Sequence, residues 1–157
     1  MQSNSYEQSI SSSDESVLFC YTCEVNEQSY YRVSIKGVVI DNEGRYLLSL
    51  EDNGKWELLG GGLEHEEDPK ECLKREVREE TGLAVTSISE NPIHFITSQR
   101  ENADTYIANV IYEITLENLD FTPSDECQEL RFVKPEDMNA LDLFPNVKKF
   151  AEVLLTK

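Results

Sequence analysis

Three observations predict an α/β fold in one domain, with helices packed on a mixed sheet. Segments of β-branched and aromatic residues recur along most of the chain, two helical patterns interrupt and close them, and 157 residues make one ordinary domain. A chain this long buries roughly two-thirds of its unfolded surface, so it needs no disulfide or metal to fold.

Residues 1–15 are rich in Ser, Gln and Asn, offer little to bury, and are expected to be a flexible N-terminal tail before a domain at 16–157. Val17–Val25 and Ser29–Ile40 have strand composition. Asp41-Asn42-Glu43-Gly44 is a turn and Arg45–Leu50 returns as a strand, so 29–50 reads as a hairpin. After a second turn at Glu51-Asp52-Asn53-Gly54, Trp56-Glu57-Leu58-Leu59 leads into Gly60, Gly61 and Gly62. A helix is predicted from Pro69 to about Thr81: Asp68 can cap it, Pro69 suits its first position, Glu71 can close a capping box, and Gly82 can end it. Strands follow at 83–89, 92–99, 104–117 and 130–134, and Asn146–Leu155 is a closing amphipathic helix. There is no internal repeat and no interdomain linker.

The chain carries 14 Lys and Arg against 31 Asp and Glu, a formal charge of −17. That balance opposes gripping a nucleic-acid backbone or an anionic membrane, both of which need a positive field. The longest apolar run, Val17–Tyr21, is too short to span a bilayer. With no basic and apolar leader and four cysteines, reduced thiols and a cytoplasmic location are expected.

The predicted helix has an internal conflict. At about 100° per residue, Lys70, Lys74 and Arg78 share one face, Leu73 and Val77 form a narrow apolar stripe, and Glu76, Glu79 and Glu80 fill an adjoining arc. Like charges at these spacings repel, and the helix dipole disfavours acids in the last turn. A hard divalent ion such as Mg2+ or Mn2+ would relieve both penalties. The plain alternative is a solvated acidic face.

Residues 61–83, GGLEHEEDPKECLKREVREETGL, resemble the Nudix signature G-x5-E-x7-R-E-U-x-E-E-x-G-U, with U aliphatic, at every specified position. The matching residues are Gly61, Glu67, Arg75, Glu76, Val77, Glu79, Glu80, Gly82 and Leu83. The resemblance, covering about residues 29–155, implies a Nudix-type α/β/α sandwich. It also implies a metal-dependent pyrophosphohydrolase that cleaves a nucleoside diphosphate linked to another moiety by attack of activated water on phosphorus. The implied metal ligands are Glu76, Glu79, Glu80 and the Gly60 carbonyl. Arg75 is implied to orient motif carboxylates, and Glu67 to support the loop and helix. Glu79 is the first expectation for the base. A further acid from a later loop resembles Glu126 first and Glu129 second, against the reading of a solvated loop acid. Small-molecule nucleotides are the implied partners, and a homodimer is left open. The competing reading is a non-catalytic Nudix-fold module that senses a nucleotide, although such modules usually lose motif glutamates that this chain keeps.

Leu59 stands where the family often has Pro, Glu66 where it often has Gly, and Ser49-Leu50-Glu51 where many triphosphate-binding relatives present arginines. The last departure argues against a triphosphate and leaves Arg32, Lys36, Lys55 and Arg100 as candidates for gripping phosphates, each weighed against an ordinary surface charge. Cys20 and Cys23, three apart in a predicted strand, would point to opposite faces and suit neither zinc nor redox chemistry. His65 and His94 are read first as a solvated loop residue and a strand residue, and Trp56, Tyr106 and Phe132 as packing aromatics.

Overall fold

The computed structural model describes residues 29–156. The expected tail, the predicted strand Val17–Val25 and the Cys20–Cys23 pair lie outside them. The elements run β1 (Tyr31–Val38), β2 (Tyr46–Leu50), β3 (Trp56–Glu57), α1 (Pro69–Thr81), β4 (Val85–Ile88), β5 (His94–Gln99), β6 (Tyr106–Leu116), β7 (Glu129–Val133), a 3-10 helix (Pro135–Ala140) and α2 (Pro145–Leu155).

The long strand β6 organises the first sheet. It pairs parallel with β1 along one edge and antiparallel with β4 and β5 along the other. β2 lies between β3 and β7 in a second, antiparallel sheet. The apolar face of α1 packs Leu73 and Val77 with Ile35, Leu47, Leu59, Tyr112 and Ile114. On the other side, Val147, Phe150 and Ala151 of α2 pack with Val38, Leu48, Trp56, Leu58 and Ile111. The result is an α/β/α sandwich with one helix on each face. No helix among the described residues is long and apolar enough to cross a membrane.

The predicted hairpin needs correction. Its turn forms, with Asp41 N–H on the Arg45 carbonyl at 3.0 Å and an Ile40–Tyr46 bridge. Beyond the turn the strands separate into different sheets, because Ser34 to Val38 are buried without alternation. Burial on both faces belongs to a strand inside a sandwich, and β1 satisfies it with β6 on one edge and with Leu59 to Gly62 on the other. That second edge positions the glycine segment. The 3-10 helix was not foreseen, although Pro135 at its start and two acids in its first turn are ordinary helix-start signals.

Candidate metal and nucleotide site

The α1 cap forms as its residues dictate. Asp68 accepts the N–H groups of Lys70 and Glu71 at 2.9 and 3.2 Å, and Gly82 closes the helix in the left-handed region at φ 73°. With its ends fixed, α1 turns Glu76, Glu79 and Glu80 into a cleft of about 340 Å³. Glu51 and Asp52 from the turn after β2, and Asp125 and Glu126 from the loop before β7, line the same cleft. Glu51 and Asp52 were not foreseen as cleft acids; their signals were the turn after β2 and, for Glu51, its place where many relatives present arginines.

The carboxylates share this cleft without converging on one point. Arg75 Nη1 donates to Glu76 at 2.8 Å and to Glu79 at 3.1 Å, while its Nε and Nη2 grip Glu67 at 2.8 and 3.0 Å. Arg75 therefore orients two cleft acids and ties the loop to the helix. Its side-chain hydrogen bond holds the Glu67 carboxyl down at about 2, and Glu67 in turn raises Arg75 above its ordinary value. Glu80 turns away from this set and accepts the Gly60 N–H at 3.0 Å. Burial pushes Glu80 up to about 7; Lys36 and the Gly60 N–H oppose that rise, and the Glu57 and Glu51 charges add to it. Glu51 is raised too, by burial first and then by Glu57.

Among the described residues, no three His, Cys, Asp or Glu side chains stand close enough as placed to hold one ion. The donor set nevertheless fits a hard divalent cation. Seven acids line one cleft, Arg75 is the cation bridging two of them, and Gly61 leaves the space that the Glu76 carboxylate fills. The two later acids also separate. Glu126 lines the cleft, whereas Glu129 is held by Arg131 at 2.7 and 2.8 Å and is absent from its lining.

A larger cavity of about 580 Å³ has Gly62 in its lining. Arg32, Lys36 and Arg100 line it, with Asn109, Phe144 and Asn146. Adjacent glycines abut side chains of the two chambers: a Cβ on Gly61 would strike Glu76 of the cleft, and one on Gly62 would strike the Arg32 guanidinium of the cavity. Lys55 lines neither chamber and is paired with Glu101 and Asp142 at 3.3 and 3.2 Å. Lys36 is no surface charge. It is 6% exposed, donates to the Leu58 carbonyl at 3.1 Å and to the Gly60 carbonyl, and stands 3.6 Å from Glu57. Glu57 also accepts the Asn146 amide at 2.7 Å and the Leu58 N–H at 2.8 Å. Sequence reasoning missed Glu57 and Asn146, which meet from far apart in the chain, and Asn109, which donates to the Ser98 hydroxyl at 3.3 Å. Trp56 is a core residue at 5% exposure, with Arg131 over its ring at 4.6 Å. His94 packs edge-on to Phe150, and Cys72 and Cys127 are buried free thiols pushed up by burial to about 12 and 11.

The NUDIX domain family pattern matches residues 30–154. The nucleoside triphosphatase NudI of Salmonella agona is 35% identical, over 67% of this chain and 84% of that protein. The MutT protein of Methanosarcina mazei superposes with a TM-score of 0.62 at 25% identity, over 80% of this chain and 93% of its own. The ORF135 protein of E. coli shares the fold at a TM-score of 0.64 and 20% identity, over 80% and 89% of the two chains. Family match, relatives and fold agree, and the chain belongs to the Nudix family as a hydrolase of phosphorus-containing anhydrides.

Proposed function

We propose that this chain is a metal-dependent pyrophosphohydrolase of nucleotides, with Mg2+ or Mn2+ held by Glu76, Glu79, Glu80 and the Gly60 carbonyl. The observation that carries this reading is the meeting of two chambers at Gly61 and Gly62, one lined by carboxylates and one bearing Arg32 and Arg100. An anionic substrate approaching a chain of charge −17 needs that division of labour. When bound, the divalent ion supplies charge screening for the phosphates and acidifies water.

The remaining steps belong to the side chains. Arg32 and Arg100 bind phosphate oxygens, and Phe144 and Ile107 offer apolar surface to the base. Arg75 keeps Glu76 and Glu79 in register. Water attacks phosphorus, the new P–O bond forms as the anhydride P–O bond breaks, and the water's proton passes to a cleft carboxylate. Glu79, the first expectation for that base, has one carboxylate oxygen engaged by Arg75 at 3.1 Å. Glu126 lines the same cleft with no ion-pair partner among the described residues, so its carboxylate is the one open to a water there. Glu126→Gln is expected to cut kcat at least tenfold with the fold intact; an unchanged kcat removes it from this role.

Nucleoside triphosphates are the first substrates to assay, because the 35%-identical relative bears that name. Arg32 and Arg100 in the cavity would supply the cations that the end of β2 lacks. The test is a panel of nucleoside triphosphates, nucleotide sugars and dinucleotides with protein stripped of metal, with Mg2+ or Mn2+ added back and released phosphate and pyrophosphate measured. Turnover should require the ion and vanish on chelation. Full turnover in excess EDTA overturns the metal reading, and tight nucleotide binding with no turnover overturns the enzyme reading.

A further inference from the structure

Lys36 is the cation that, with Glu57, joins the two chambers among the described residues. It lines the cavity, and its charge acts on Glu80 and Glu51 of the cleft. An ammonium has three donors, and three protein oxygens face this one: the Leu58 carbonyl, the Gly60 carbonyl and the Glu57 carboxylate. No donor is left over for a phosphate.

Gly60 is gripped on both sides. Its N–H goes to Glu80 and its carbonyl takes Lys36, so two proposed metal ligands, Glu80 and the Gly60 carbonyl, are already engaged. A divalent ion and an ammonium on one carbonyl oxygen repel each other. Lys36 has somewhere to go, because Glu57 lies within ion-pair reach at 3.6 Å and the cavity lies open beside it.

We propose that Lys36 is a positioning residue that occupies the Gly60 carbonyl as a resident cation until a divalent ion takes it, and that the displaced ammonium then turns to Glu57 and the cavity, where it meets substrate phosphate. This rests on the metal reading above and adds a linkage to it. Metal binding delivers a donor to the nucleotide chamber, and by reciprocity a bound nucleotide tightens the metal.

The experiment is calorimetric titration of metal-free protein with Mn2+ alone, on wild type and Lys36→Met. Removing the resident cation should tighten Mn2+ at least threefold, while KM for the nucleotide rises at least fivefold and kcat changes less. A structural role alone would weaken Mn2+ and lower kcat together. Unchanged or weaker Mn2+ binding by a folded variant overturns the proposal and leaves the hydrolase reading standing. A wild type that binds no Mn2+ overturns both. Because Lys36→Met strands Glu57, the neutral pair Lys36→Met with Glu57→Gln is titrated alongside. If neither variant folds, the Lys36 ammonium 1H–15N resonance of the wild type decides. It should shift on addition of Mg2+, and a resonance that does not move overturns the displacement.

Discussion

Gly60, Gly61 and Gly62 are each glycine for a different neighbour. Gly60 adopts φ 102° and lies against the Ile35 carbonyl, Gly61 leaves room for the Glu76 carboxylate, and Gly62 lies under the Arg32 guanidinium. The motif marked only Gly61, and the spatial reason was illegible because Ile35, Glu76 and Arg32 reach these positions through sheet pairing and helix docking. The contacts separate two substitutions that look alike in sequence. Gly61→Ala pushes a carboxylate off its place in the cleft and is expected to lower Mn2+ affinity and kcat at least tenfold. Gly62→Ala meets the flexible end of Arg32, so it should raise KM while leaving Mn2+ affinity near that of wild type. Mn2+ titration and steady-state kinetics on both variants check this, and equal effects of the two on Mn2+ would refute the division between chambers.

α1 was readable almost to the residue, because its information is local: a cap, a proline, an apolar stripe and a terminal glycine. β1 was readable as a strand but was given the wrong partner, because β6 comes late in the chain and no turn signal shows a parallel pairing. The helix also carries a pH signature. Arg75 holds Glu67 at about 2 in the folded protein, below the ordinary 4.5. A depressed carboxylate stabilises the fold above its ordinary pKa, and that contribution disappears as pH falls from about 5 toward 2. Glu67→Gln should therefore melt a few degrees below wild type at pH 7, and the gap should close on acidification. Melting curves from pH 7 down to pH 3 test it; a gap that stays constant would mean that Glu67 acts through packing rather than charge.

Across the whole molecule, the acid excess foreseen from composition is not spread evenly, for seven acids line one cleft. The sequence located the conflict between Glu76 and Glu80, four apart on one helix. The structure relocates it: Arg75 pairs with Glu76, while on Glu80 burial and the charges of Glu57 and Glu51 outweigh the relief from Lys36 and the Gly60 N–H. Those two acids come from β3 and the turn after β2, so only the folded chain could reveal them. The consequence is measurable with four melting curves at low ionic strength, on wild type and Glu80→Gln, with and without Mn2+. The raised pKa means that the charge costs nothing below about 4.5 and its full amount above about 7, so pH 8 is the condition to use. The amide oxygen of Gln can still accept the Gly60 N–H. Without metal the variant should therefore be as stable as wild type or more so, by on the order of 1 kcal/mol. With Mn2+ the sign should reverse. A ligand at about 100 times its Kd adds about 2.7 kcal/mol to the wild type, and a variant with a weakened site gains little of it. Equal destabilisation of Glu80→Gln in both conditions would make this carboxylate a structural acceptor for Gly60 and remove it from the metal site.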